Sequence, residues 1–159
     1  MGNMIAQNDV QISFDNSKLK NSTFIVSVGG GETTNPLWTS EVGNAEFRGA
    51  IEQSLLNHGL LSKNALSSKY LLKVSLLKVD QPMFGFDLTV TSEVNYLLLR
   101  KKINEVVYEN SISAPFTATV GDSFFAVERL RLANEGSIRE NIKKFLIQLS
   151  VLDLKQAKR

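Results

Sequence analysis

The 159-residue chain has no cysteine and one histidine, His58. Without thiols it can hold no disulfide framework, thiolate zinc site, iron–sulfur cluster or cysteine nucleophile, and one imidazole cannot make a histidine-rich metal site. No metal or cofactor is expected. Long hydrophobic runs are missing too: no stretch approaches the ~20 apolar residues of a membrane-spanning helix. Nor does one sign of charge dominate. Lys plus Arg is 18 against 16 for Asp plus Glu, a net +2, without the excess that marks a nucleic-acid binder. The opening Met1-Gly2-Asn3-Met4-Ile5-Ala6 lacks the basic and apolar regions of a signal peptide, and Ala6 stands where a myristoylation signal wants Ser or Thr. Absence of cysteine fits the cytoplasm and a bacterial envelope compartment equally.

What is present is the composition of a globular domain, 43% hydrophobic and 21% charged. Residues 1–22 are polar apart from the alternation Val10, Ile12, Phe14, and read as a flexible lead-in or a short edge strand. Thr23 to Val28 is β-branched and aromatic, a strand with Phe24, Val26 and Val28 on one side. Gly29-Gly30-Gly31 stops it. A helix follows, with Asn44 as N-cap, Phe47, Ile51 and Leu55 as its apolar stripe, and Gly59 as the left-handed residue after His58.

Three further strands are expected. In the first, Tyr70, Leu72, Val74 and Leu76 share a face until Leu77 and Val79 break the phase, which predicts a bulge near Leu76-Leu77. The second runs from Phe86 to Leu98 with Phe86, Leu88, Val90, Val94, Tyr96 and Leu98 on one side, a half-buried antiparallel pattern. After the basic turn Arg100-Lys101-Lys102 the chain returns through Val106 and Tyr108 toward Ile112, and Pro115 ends this strand or confines it to an edge. A helical piece from Asp122 to Asn134 precedes a second helix with the stripe Ile138, Ile142, Phe145, Leu149, Leu152. Ser137 and Glu140 offer that helix a capping box, and Gly136 would separate the two pieces. The order β-α-β-β-β-α gives an α+β fold: an antiparallel sheet of about four strands with two helices on the face carrying Leu88, Val90 and Val94. Residues 23–152 read as a single domain and 153–159 as a frayed tail.

Each motif with chemical potential has a plainer reading. Gly29-Gly30-Gly31 after a strand suggests a phosphate loop, but Glu-Thr-Thr-Asn-Pro follows instead of a Gly-Lys-Ser/Thr at a helix start. His58 suits the C-terminal end of a helix dipole. Asp87 and Glu93 share a face yet lie roughly 20 Å apart along a strand, too far for a glycosidase pair. Glu128, Glu135 and Glu140 fall among arginines at helical spacings of solvated ion pairs. No catalytic constellation emerges, and the expected protein is not an enzyme. Two surfaces remain. Trp38 is either a lid tucked over the first helix or an exposed anchor. Arg100, Lys101 and Lys102 are either a solvated hairpin tip or a contact for an anionic lipid head or an acidic partner.

The helix from Asn44 to Gly59 with Phe47, Ala50, Ile51 and Leu55, then Leu60-Leu61, is one part of a wider pattern. The strand Tyr70 to Leu77, the alternating Asp87 to Leu98, and Leu132-Ala133-Asn134-Glu135 before an amphipathic end at Phe145 to Leu149 complete it. From about Thr23 to Leu152 this order resembles the small bacterial outer-membrane lipoproteins, especially the lipopolysaccharide-assembly lipoprotein (rare lipoprotein B) family. The resemblance implies an envelope domain in the periplasm, acting through a protein partner such as an outer-membrane assembly. In that family basic residues contact lipopolysaccharide and the protein plugs a β-barrel; here only Arg100, Lys101 and Lys102 stand at a comparable hairpin tip. No lipid-acceptor cysteine or signal peptide is present, so an N-terminal lipid anchor would belong to a segment outside this sequence. A small-ligand or lipid carrier with a cavity between helices and sheet is the competing expectation.

Overall fold

The alternation in the middle of the chain becomes the central strand of a four-stranded sheet. The computed structural model describes residues 2–7, 12–15, 17–30 and 43–154. After a short 3-10 turn (Gly2–Met4) come β1 (Thr23–Gly29), α1 (Asn44–Asn57), β2 (Tyr70–Asp80), β3 (Leu88–Arg100), β4 (Glu105–Ala118) and α2 (Ala126–Ser150). The strands lie in the order β1-β2-β3-β4. The fold is α+β in the expected order. β2, β3 and β4 are antiparallel neighbours, but β1 pairs parallel with β2, so the sheet is mixed. The helix between β1 and β2 supplies the crossover that a parallel pair requires.

Both helices contribute to one core against the sheet. Phe47, Ile51 and Leu55 of α1 and Ile142, Phe145 and Leu149 of α2 are buried with Val94 of β3. Leu88 and Val90 are buried as well, but in a separate small cluster with Ala118, Leu130 and Ala133. The bulge predicted in β2 is there: the register with β3 shifts between Leu76 and Lys78, which leaves Leu77 exposed. Pro115 lies within β4, which continues to Ala118 as the edge strand. β4 also carries an extra residue, Val107, where its register with β3 shifts.

Several expectations need correction. In β1 the buried residues are Thr23 and Ile25, not Phe24 and Val26; a shift between Ile25 and Ser27 then turns Val28 back toward the core. Phe86 lies outside β3 and is 85% exposed. Asn44 is the first helical residue of α1, and the N-cap is Gly43, without a side-chain cap. The segment before β1 forms no strand among its described residues. Instead of leading in freely, it buries Met4, Ile12, Phe14 and Leu19, and the Ala6 N–H donates to Ser54 Oγ of α1 at 2.9 Å.

The largest departure is α2, a single helix of 25 residues that runs through Gly136 and Ser137. Gly136 marks close packing: a Cβ built there would stand 2.2 Å from Cδ1 of Phe116 on β4. Ser137 caps nothing. Its Oγ accepts the Ser92 N–H at 2.8 Å and donates to the Ala114 carbonyl at 2.6 Å. One turn on, Asn141 Nδ2 donates to the Ile112 carbonyl at 2.8 Å and the Ser92 carbonyl at 3.2 Å, while its Oδ1 accepts from Tyr96 Oη at 2.8 Å. The Tyr96 ring stacks on Phe145 with centroids 4.0 Å apart. Asn134, near the start of the same helix face, accepts from Gln81 Nε2 at 2.8 Å. At the other end Gln148 accepts from the Tyr108 hydroxyl and from Asn110 Nδ2. A polar seam thus fixes the helix on the sheet.

Two stability measurements check this packing. Gly136→Ala would stabilise an isolated helix by about 1 kcal/mol, yet here it should destabilise by ~1–3 kcal/mol because Phe116 must move. Asn141→Leu should destabilise by ~1–3 kcal/mol for each buried group left without its partner. Equilibrium urea unfolding reads both, and unchanged midpoints would contradict the seam.

Candidate functional site

Hairpin closure between β3 and β4 places the basic turn. Lys101 to Asn104 form the loop, and the Lys101 N–H donates to the Lys69 carbonyl at 2.9 Å, extending the β2–β3 ladder by a step. The result is an open cleft of about 530 Å³ lined by Ser68, Lys69, Tyr70, Arg100, Lys101 and Lys102. The three cations therefore gain a fourth, Lys69, from the position just before β2. They are not equivalent. Arg100 is a clamp, with its Nη2 donating to the Leu154 carbonyl at 3.3 Å and its Nε 3.5 Å from Glu105. Lys101 Nζ donates to the Ala65 carbonyl, although the side chain stays exposed. Lys69 and Lys102 are exposed. Cations held at a strand end and a hairpin tip can meet an anionic group at little desolvation cost. Trp38 lies outside the described residues.

The opposite end of the sheet differs in chemistry. There the β2–β3 turn and the β4–α2 connection come together, tied by the Val120 N–H donating to Asp87 Oδ1 at 3.3 Å. Met83, Phe84, Phe86, Phe124, Phe125 and Val127 all stand exposed. A cleft of about 270 Å³ between the turn and the first residues of α2 is lined by apolar side chains that include Met83, Phe84, Leu88 and Leu130. It lies beside the N-terminal part of α2, away from α1, so it is not a cavity enclosed between both helices and the sheet.

The remaining polar candidates are held by local contacts, although Nε2 of the buried His58 has no hydrogen-bond partner among the described residues. His58 is buried at the end of α1, where its Nδ1 donates to the Ser54 carbonyl at 2.7 Å and its ring meets Phe14 edge-on. Gly59 has φ +68°, the expected left-handed residue. Gly30 has φ +90°, and a Cβ there would stand 2.0 Å from the Leu76 carbonyl oxygen, so a glycine fits its close approach to β2; Gly31 lies outside the described residues. Asp122 accepts from the Thr119 N–H at 2.7 Å, which holds its carboxyl below the usual range. Glu128 and Glu135 both pair with Arg131, whose hydrogen bond lowers the Glu128 pKa, and Glu140 sits 3.9 Å from Arg139. Burial pushes the Tyr96 hydroxyl well above its ordinary value and keeps it a donor to Asn141. Among the described residues no three His, Asp or Glu side chains are grouped to hold a metal ion, and no helix is long and apolar enough to cross a membrane.

Sequence reasoning missed Lys69 and the polar seam. Lys69 carries no signal of its own, since only strand pairing brings it beside Arg100. The seam did leave a trace: Asn134, Ser137 and Asn141 recur at helical spacing along the apolar stripe.

No protein-family model matches the chain, and its sequence matches none of the curated proteins. Solved structures do share the fold. A Xanthomonas campestris protein assigned to the family DUF330 superposes with a TM-score of 0.66 at 11% identity, covering 98% of this chain and 95% of that one. A candidate lipoprotein from Caulobacter crescentus gives 0.57 at 16% identity, covering 90% and 96%. A minor lipoprotein from Acinetobacter baumannii gives 0.51 at 9% identity, covering 81% and 90%. At these identities the likeness is one of fold, running nearly the full length of both chains.

Proposed function

We propose that this protein is a non-enzymatic, lipoprotein-like domain of the bacterial cell envelope that works by contacting a protein partner, with an outer-membrane assembly as the partner class. The observation that carries this reading is the fold shared over 90% of this chain with a candidate lipoprotein and over 81% with a minor lipoprotein. The burial of His58 at the end of α1, with Nδ1 bonded to the Ser54 carbonyl, and the pairing of Glu128 and Glu135 with Arg131 support a structural use of these groups. The proposed location is the periplasm, with anchoring to the outer membrane through an N-terminal lipid. Lys69, Lys101 and Lys102 supply the contact, to an acidic partner surface or an anionic lipid head, with Arg100 bracing the tip through Glu105 and Leu154. Trp38 is kept in the proposed contact as an aromatic anchor.

Fractionation of cells carrying the tagged protein should recover it with the envelope; recovery in the cytosol would overturn the reading. The basic cleft is tested separately. Cations near an anionic surface contribute about 1 kcal/mol each, so K69S/K101S/K102S should weaken binding to phosphatidylglycerol vesicles roughly a hundredfold at low salt. Added salt should erase the difference, because the Debye length is ~8 Å at 0.15 M. Equal binding by wild type and variant would reduce the turn to a solubilising hairpin tip.

A further inference from the structure

The exposed end of the sheet opposite the basic cleft carries the least explained chemistry of the molecule. Phe84 is 89% exposed, Phe86 85%, Phe124 84% and Phe125 75%, with Met83 at 74% beside them. At about 150–250 Å² per aromatic side chain, the four rings alone expose on the order of 600 Å², the upper end of the largest apolar patches on soluble monomers. Two loops build this end, and neither segment 81–86 nor segment 123–127 contains a charged residue.

We propose that this aromatic end inserts into a lipid surface, and that the surface it fits is neutral and zwitterionic. The inference goes beyond the basic-cleft contact and does not depend on it. Charge supports the choice of lipid. Behind the uncharged tip stand Asp80, Asp87, Asp122 and Glu128, of which Asp80 pairs with Lys78 and Glu128 with Arg131. Asp87 and Asp122 instead accept backbone N–H groups, and the buried Arg129 donates to the Ser123 and Phe124 carbonyls at 3.0 and 2.8 Å, so its charge is held beneath the tip and not presented on it. Such a rim presents no excess of cations to draw in anionic headgroups and leaves apolar burial as the driving force.

Shape separates a lipid from a folded partner. The side chains project singly from their loops; Phe124 and Phe125 meet only edge-on, with centroids 6.3 Å apart. The adjoining cleft of about 270 Å³ falls just below the ~300–1,000 Å³ of small-molecule sites. A fluid apolar phase conforms to a convex cluster of this kind, whereas a rigid partner would need a matching concavity for each ring.

The test uses the full chain and phosphatidylcholine vesicles. Wild type should co-sediment with them to the same extent at low and high salt. Withdrawing one phenylalanine from an apolar phase changes partition about tenfold, so F84S/F124S should reduce it roughly a hundredfold. Thermal unfolding should be unchanged, since both rings are exposed. The K69S/K101S/K102S protein should partition like wild type, which keeps this result distinct from failure of the basic-cleft reading. Absence of binding to neutral vesicles, or equal binding by F84S/F124S, would overturn the proposal. A lipid-free dimer in sedimentation equilibrium that F84S/F124S abolishes would overturn it in favour of a second copy of this chain.

Discussion

The arrangement of this protein depends on how one long helix is registered against a sheet. Apolar burial would hold α2 on β3 and β4 in any of several sliding positions, because hydrophobic attraction has no direction. Hydrogen bonds from Ser137 and Asn141 to Ser92, Ile112 and Ala114 do have direction, and all four of the polar residues Ser92, Tyr96, Ser137 and Asn141 are inaccessible to solvent. A shift by one turn would strand these groups in the core, where an unpaired polar atom is costly. Stacking of Tyr96 on Phe145 sits inside the same set of contacts, so apolar and polar packing specify one register together. Placement of both ends of the sheet relative to α2 follows from that register.

Local pattern made much of this legible. β3 could be read from a strict alternation, α1 from a stripe closed by a glycine, and the bulge in β2 from a break in phase at Leu77. Errors arose where a residue type has a common local use and a rarer tertiary one. Gly136 and Ser137 look like a helix break and a new cap, but their properties, no side chain and a short hydroxyl, are spent on β4 and β3. In β1 the apolar residues outnumber the positions available on one face, so alternation alone could not say which face is inside. Phe86 fits the alternation of β3 but lies before the strand begins, and a pattern of two cannot tell an inward ring from one in a preceding loop. Of the two candidate surfaces, the basic turn was visible because its cations are consecutive. Lys69 joins them only through strand pairing, and the aromatic end gathers two loops distant in sequence.

The two surfaces are held apart by the sheet. β3 has 13 residues, and at roughly 3.4 Å per residue an antiparallel strand of that length spans about 44 Å. The cationic cleft lies at one end of that strand and the aromatic cluster at the other. Neither borrows residues from the other, and substitutions in one should leave the other's energetics unaltered.

An open sheet also has borders, and β4 forms one of them. A long flat border strand is a template on which another chain can add by backbone hydrogen bonds. This one is interrupted twice: Pro115 brings no N–H, and the extra residue Val107 bends the strand near its start. Pro and bulges are devices by which natural edge strands resist sheet-to-sheet growth. Molecules crowded at one surface through either end would thus be discouraged from fusing along β4 into a continuous, amyloid-like sheet.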